Sequence, residues 1–176
     1  MNRRPANAAG SAPQSADWRP LHANALVVGE AGVLIRGPSG AGKSALTLAL
    51  LELARDRMLF ARLIGDDRAS IGLRGNRILA RGAPGIRGLI ERRGYGIVGA
   101  PTEPCAVVRL VVDLLAAEER CARLPDADAL KVSLCGVDLP RLTFDARSGA
   151  IERAYTTLAC LDIRDDKIMT GRAHFA

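Results

Sequence analysis

Lys43 and Ser44 close an octapeptide, Gly37-Pro38-Ser39-Gly40-Ala41-Gly42-Lys43-Ser44, in which glycine, four residues and Gly-Lys-Ser follow in order. A chain needs those fixed positions to wrap its backbone around a polyphosphate. Glycines let successive N–H groups converge on one point, and a helix N-terminus behind them adds its dipole. Lys43 is placed to bring a point charge to the terminal phosphates, and the Ser44 hydroxyl to ligate magnesium. Such a loop says nucleotide but not reaction. Phosphoryl transfer also needs a further metal ligand, a group for the acceptor's proton and positive charge on the moving phosphoryl. Asp66-Asp67 suits the first two. One carboxylate can hold magnesium or its water, and the other can take a proton from a hydroxyl nucleophile. The plainer alternative is a pair of solvated acids opening a turn. Glu91 reads equally as a site acid or as a surface acid beside its arginine neighbours. By their own chemistry His22 and Arg123 read as an exposed histidine and a solvated helix-end cation. His174 is given no role.

These groups work together only if the surrounding elements carry them to one edge. Val33-Leu34-Ile35 reads as a short buried strand before the loop, and 45–53 as a helix after it. Leucine and alanine run round nearly the whole circumference of that helix, which predicts burial against a sheet. Ala25-Leu26-Val27-Val28 reads as an earlier strand, turned by 29–32 into a hairpin with the strand before the loop. Leu63-Ile64-Gly65 is a buried strand stopping at the twin aspartates, which sets them at the carboxyl edge where open α/β sheets gather ligands. Segments 69–73 and 77–80 flank Gly75-Asn76 as a hairpin. Residues 82–85 read as a loop, 89–98 as a Gly-rich shaped loop, 107–115 as the strongest later strand and 116–124 as a short helix. Strands are expected at 132–134 and 137–142, around Gly136. Ile151, Ala154, Tyr155, Leu158 and Ala159 repeat at helical spacing and predict a packed final helix. The expected class is α/β, a mixed sheet with flanking helices. Residues 1–17 are expected to be a disordered leader and 18–176 a single catalytic domain.

Composition narrows the partners. The chain has 176 residues, nearly half of them apolar, which suits one globular domain. No apolar run approaches the ~20 residues of a membrane span, and the N-terminus lacks a signal peptide's apolar stretch. The net charge is +6, but Lys43, Lys131 and Lys167 are the only lysines, and the excess of Arg has the look of a GC-rich coding bias. Nucleic-acid grooves interleave charge with rings, and the six aromatics here are scattered, so neither nucleic acid nor membrane is expected as a partner. Cys105, Cys121, Cys135 and Cys160 form no C-x-x-C pair and no zinc spacing with histidine. They read as buried or half-buried thiols in a reducing cytoplasm.

At these residues the chain resembles the HPr kinase/phosphorylase family, bacterial enzymes acting on a serine of the phosphocarrier protein HPr. The resemblance runs over roughly 22–142. It is carried by His22 ahead of the phosphate loop, Leu63-Ile64-Gly65-Asp66-Asp67, and Ile90-Glu91-Arg92-Arg93-Gly94-Tyr95-Gly96-Ile97, with Arg123-Leu124-Pro125 and Gly136-Val137-Asp138-Leu139-Pro140 following in the family's order. It is similar to the short form that lacks the family's N-terminal domain. The resemblance implies a nucleotide domain like that of phosphoenolpyruvate carboxykinases, assembled as a hexamer. It implies ATP on Gly37 to Ser44, with magnesium held by Ser44 and Glu91 and with Asp66 at hand. Asp67 would be the base toward the serine of an HPr-like carrier, positioned by His22, and Lys43, Arg93 and Arg123 would stabilise phosphate charge. In the reverse direction Asp67 would protonate the leaving serine while inorganic phosphate attacks. Two positions depart from the pattern. Tyr95 stands where the signature usually has Leu, and 142–149 replaces the late Pro-Val-x-Pro-Gly-Arg segment tied to dephosphorylation. Phosphorolysis is therefore left open, as is a different class of function, an ATP-binding sensor that transfers nothing.

Overall fold

The computed structural model describes residues 17–83 and 88–162. The leader expected over 1–17 lies outside them except for Asp17, as do 84–85 of the expected loop and His174. Two short strands open the chain: β1 (Arg19–Leu21) and β2 (Ala23–Val28). A turn at Gly29 leads into β3 (Ala31–Arg36), then the phosphate loop and α1 (Lys43–Asp56). Next come β4 (Ala61–Gly65), β5 (Ala69–Arg74) and β6 (Arg77–Gly82). A small hairpin, β7 (Leu89–Arg92) and β8 (Gly96–Gly99), precedes the long β9 (Cys105–Leu114). The described part closes with β10 (Lys131–Leu134), β11 (Val137–Phe144) and α2 (Ala150–Asp162).

The strands form a curled mixed sheet in the order β1-β5-β6-β9-β3-β2-β4, with β11 joining β9 and β10 extending it. β9 is its spine: parallel to β3 and β11, antiparallel to β6. Its side chains alternate between two cores, as a strand's period of two requires. From residue 110 on, Leu110, Val112 and Leu114 face α1 and α2 while Val111 faces the side over which β5 and β6 fold; a register shift against β3 between Val108 and Leu110 puts Val108 on the side of Val111. β2 pairs antiparallel with β3 on one side and β4 on the other. β3 and β4 therefore run the same way, and their C-terminal ends meet the start of β2 at one edge. That register brings His22, the phosphate loop and Asp66-Asp67 together.

Five expectations are corrected. Segment 89–98 is a two-stranded sheet rather than a loop. Segment 116–124 is not helical: Ala116 N–H is taken by Glu119 Oε2, and Cys121 N–H by Asp145 Oδ2, 24 residues on, so the helical ladder is not made. α1 is buried on one side only, through Leu46, Thr47, Ala49, Leu50 and Ala54, while Leu48, Leu51 and Leu53 are half-buried. α2 forms where its spacing predicts, but it buries Arg153, Ala154, Thr157 and Leu158 and leaves Ile151, Tyr155 and Ala159 exposed. Among the cysteines, Cys121 and Cys160 are half-buried as expected, whereas Cys105 and Cys135 are exposed.

Candidate active site

The phosphate loop leaves β3 at Gly37, whose φ is +148°; a Cβ there would meet the Leu114 carbonyl oxygen at 2.5 Å. Gly42 caps α1 in a left-handed conformation with φ +98°. Only glycine takes these angles without strain. No side chain caps α1, so its first N–H groups are left for a ligand. Lys43 is nearly buried, and its ammonium donates to the carbonyls of Gly37 (3.1 Å) and Pro38 (3.2 Å). It also lies 3.0 Å from His22 Nε2 and 3.2 Å from Asp67 Oδ1. An ammonium only donates, so His22 Nε2 is the accepting nitrogen and its ring proton sits on Nδ1. Nδ1 faces Asp67 Oδ1 at 3.8 Å.

The twin aspartates divide their work. Asp66 Oδ1 accepts from Ser44 Oγ (3.0 Å) and Asn24 Nδ2 (2.6 Å), and its Oδ2 accepts the backbone N–H of Glu91 (3.2 Å). Asp67 adopts φ +55°, a conformation uncommon outside glycine. Its backbone N–H donates to Asn24 Oδ1 at 2.9 Å, and its carboxylate is half exposed beside Lys43. Asn24 is thus the hub. Fully buried, it spends one amide proton on Asp66 and the other on Thr47 Oγ1 (3.0 Å), and its oxygen on Asp67. Thr47 passes its own proton to the Lys43 carbonyl (2.9 Å), which closes the network back onto α1. Sequence reasoning missed Asn24. The one available signal was a polar residue at the start of an apolar strand that begins beside the site.

A cleft of about 500 Å³ opens over these groups, a size suited to a small-molecule ligand. Ser39, Gly40, Gly42, Lys43 and Ser44 line it, with Asp67 on one wall and Glu91, Arg92 and Arg93 of the β7–β8 hairpin on another. The hairpin is seated by the buried Ile90, the Glu91 N–H and an Arg92–Glu52 ion pair at 3.5 Å. Of the residues expected from sequence, His22, Lys43, Ser44, Asp66, Asp67, Glu91 and Arg93 meet at or beside this cleft. Arg123 does not: it is exposed in the turns after β9 and is absent from the cleft lining. The donor set fits a magnesium nucleotide. Uncapped amides and Lys43 suit phosphate, and a serine hydroxyl bonded to a carboxylate suits a hard oxygen-seeking cation. Among the described residues, no group of three or more His, Cys, Asp or Glu gathers as a metal cage, so the ion's remaining ligands would be phosphate and water.

Fold and cleft together define a mixed α/β domain with a curled mixed sheet, in which a Gly-Lys-Ser loop and the Asp67 carboxylate line one cleft. Residues 14–151 match the family described as HPr Serine kinase C-terminal domain. The chain belongs to that family, whose members use ATP and magnesium. It is 32% identical over 140 residues to the HPr kinase/phosphorylase of Mycoplasma mycoides, covering 73% of this chain and 42% of that protein. It is also 32% identical over 143 residues to the HPr kinase/phosphorylase of Geobacillus thermodenitrificans, covering 76% and 44%. The chain thus spans under half the length of these relatives. The solved structure of the Hpr(Ser) kinase/phosphatase from Coxiella burnetii superposes with a TM-score of 0.64 at 25% identity, covering 82% of this chain and 98% of that one.

Proposed function

We propose that this chain is a magnesium- and ATP-dependent protein serine kinase acting on an HPr-like phosphocarrier. The observation that carries the reading is Asp67: a half-exposed carboxylate 3.2 Å from the phosphate-loop lysine, on the wall of the cleft which that loop lines. Gly37 to Ser44 bind the nucleotide's phosphates, and Ser44, Glu91 and Asp66 hold magnesium, which neutralises phosphate charge when bound. Asp67 takes the proton of the incoming serine hydroxyl. Lys43 and Arg93 set positive charge where the phosphoryl group moves. His22, in contact with Lys43, keeps that lysine and Asp67 aligned. Arg123, outside the cleft, is given no part in the transfer. A cytoplasmic location and a homo-oligomeric, hexameric assembly belong to the same reading and rest on the family alone.

In the reverse direction Asp67 would return a proton to the serine oxygen as inorganic phosphate takes the phosphoryl group. Residues 142–149 lack the Pro-Val-x-Pro-Gly-Arg segment, so we propose the kinase direction first and treat the reverse as a second question. One experiment addresses both: mass spectrometry of an HPr-like carrier incubated with MgATP, then with inorganic phosphate. The expected result is one phosphoryl group on a serine. ATP binding with an unmodified carrier would leave a nucleotide-binding module and contradict the kinase.

A further inference from the structure

We infer that Arg153 is a positioning residue for the nucleotide loop: from α2, whose first residues Ala150 and Ile151 line the same cleft, it holds the Ala41–Gly42 peptide in its binding orientation. This rests on the loop being a nucleotide site. Arg153 lies in α2, more than a hundred residues from the loop, and is 7% exposed. Its guanidinium divides among three neutral acceptors. Nη1 donates to the Ala41 carbonyl (3.2 Å), Nη2 to the Asp145 carbonyl (2.8 Å) and Nε to Ser148 Oγ (3.3 Å).

In a planar trans peptide the C=O and the following N–H point opposite ways. Holding the Ala41 carbonyl toward Arg153 therefore turns the Gly42 N–H away from it. The contact is close: a Cβ on Gly42 would sit 3.4 Å from Arg153 Nη1. The far end of the strut is fixed as well. The Asp145 carboxylate is bound by Arg147 Nε and Nη2 and by the Cys121 N–H, and the Arg147 N–H closes the turn onto Asp145 Oδ1. Among the described residues no carboxylate lies within ion-pair distance of Arg153; Asp145, itself paired with Arg147, and Glu152 favour its charge from further away. The three acceptors are spread along the fork, one at each of its nitrogens, so a lysine ammonium, a single nitrogen at one point, would keep one or two of them.

The test is calorimetric titration with magnesium and a non-hydrolysable ATP analogue, run well below each variant's melting temperature. Arg153→Met should weaken binding about tenfold, the scale of a lost charged hydrogen bond, and Arg153→Lys by less. Leu158→Ala, a truncation in the buried face of the same helix, should lower the melting temperature and leave affinity unchanged. With a carrier present, Arg153→Met should raise KM for ATP and change kcat by less than about threefold, the signature of lost binding that ground and transition states share. Wild-type affinity in a folded Arg153→Met would overturn the inference. So would an equal loss in Leu158→Ala, which would mean general loosening. Should Arg153→Met not fold, Arg153→Lys decides alone, and unaltered affinity there refutes the strut. Absence of binding by the wild type would sink the functional reading too, whereas binding by wild type and variants alike would sink this inference only.

Discussion

The phosphate loop and the β7–β8 hairpin face each other across one cleft but are held in different ways. The loop is gripped by buried polar side chains. Lys43 bonds back to it, Asn24 and Thr47 sit under the start of α1, and Arg153 holds it from behind. The hairpin has a single buried side chain, Ile90, and presents Glu91, Arg92, Arg93 and an 80%-exposed Tyr95 to solvent. The nucleotide half of the cleft is thus built into the core, and the facing half is laid on an exposed two-stranded ribbon. Preorganised charge matters most where charge develops in the transition state, whereas an exposed ribbon can be altered at little cost to the fold. Substitutions on the loop side should therefore disturb binding, transfer and stability together. Substitutions on the hairpin side should disturb transfer, and at Glu91 magnesium binding, with little loss of stability.

Of the substitutions that compare the two walls, Lys43→Ala should have the largest effect. Transfer to a carrier should fall by about 10²–10³-fold, and nucleotide affinity should fall with it. Steady-state phosphorylation assays and titration with ATP check both. Asn24→Ala should come next. It leaves Asp66 and the Asp67 N–H each one partner short in a part-buried setting and removes the fully buried Asn24 amide, so stability should drop by about 1–3 kcal/mol in chemical denaturation. Transfer should drop too, because the base is no longer oriented. Arg93→Ala should reduce transfer by about tenfold, within the general range of a lost charged hydrogen bond, and leave the melting temperature unchanged. If Arg93→Ala destabilised the fold as much as Asn24→Ala, the contrast between the two walls would be wrong.

The legible part of the site was the part encoded locally. The loop, its strand and its helix are one contiguous pattern, and the twin aspartates sit at the end of a recognisable strand. Asn24 was not legible, because its role depends on β2 pairing with β4 in a register that brings residue 24 beside residues 66 and 67. The β7–β8 hairpin was read as a loop because Gly94 and Gly96, both at positive φ, and the run of charge hide a strand with one buried residue. The expected helix at 116–124 fails through a contact 24 residues away, since Asp145 takes the N–H of Cys121. Nothing in the sequence singles out Arg153, and only the packing of α2 beside the loop brings it to the Ala41 carbonyl.

The smallest expected effect concerns the turn behind the loop. Bonds from Arg147 and the Cys121 N–H hold the Asp145 carboxyl well below the ordinary carboxylate range. A carboxyl lowered in the folded state stabilises fully above its unfolded pKa, near 4, and loses that contribution as pH falls toward its folded value. Asp145→Asn should therefore be less stable than the wild type at pH 6, and the gap should narrow as pH drops below about 4. Melting curves of both proteins across that window check the sign.

The most direct test of the account is Asp67→Asn, assayed for ATP binding and for carrier phosphorylation in the same preparation. The substitution removes the proton acceptor and releases Lys43 from an ion pair at 3.2 Å, but leaves the loop in place. ATP should bind as tightly as to the wild type or more tightly, while serine phosphorylation falls by about 10²–10⁴-fold. Phosphorylation at the wild-type rate by Asp67→Asn would contradict the central claim.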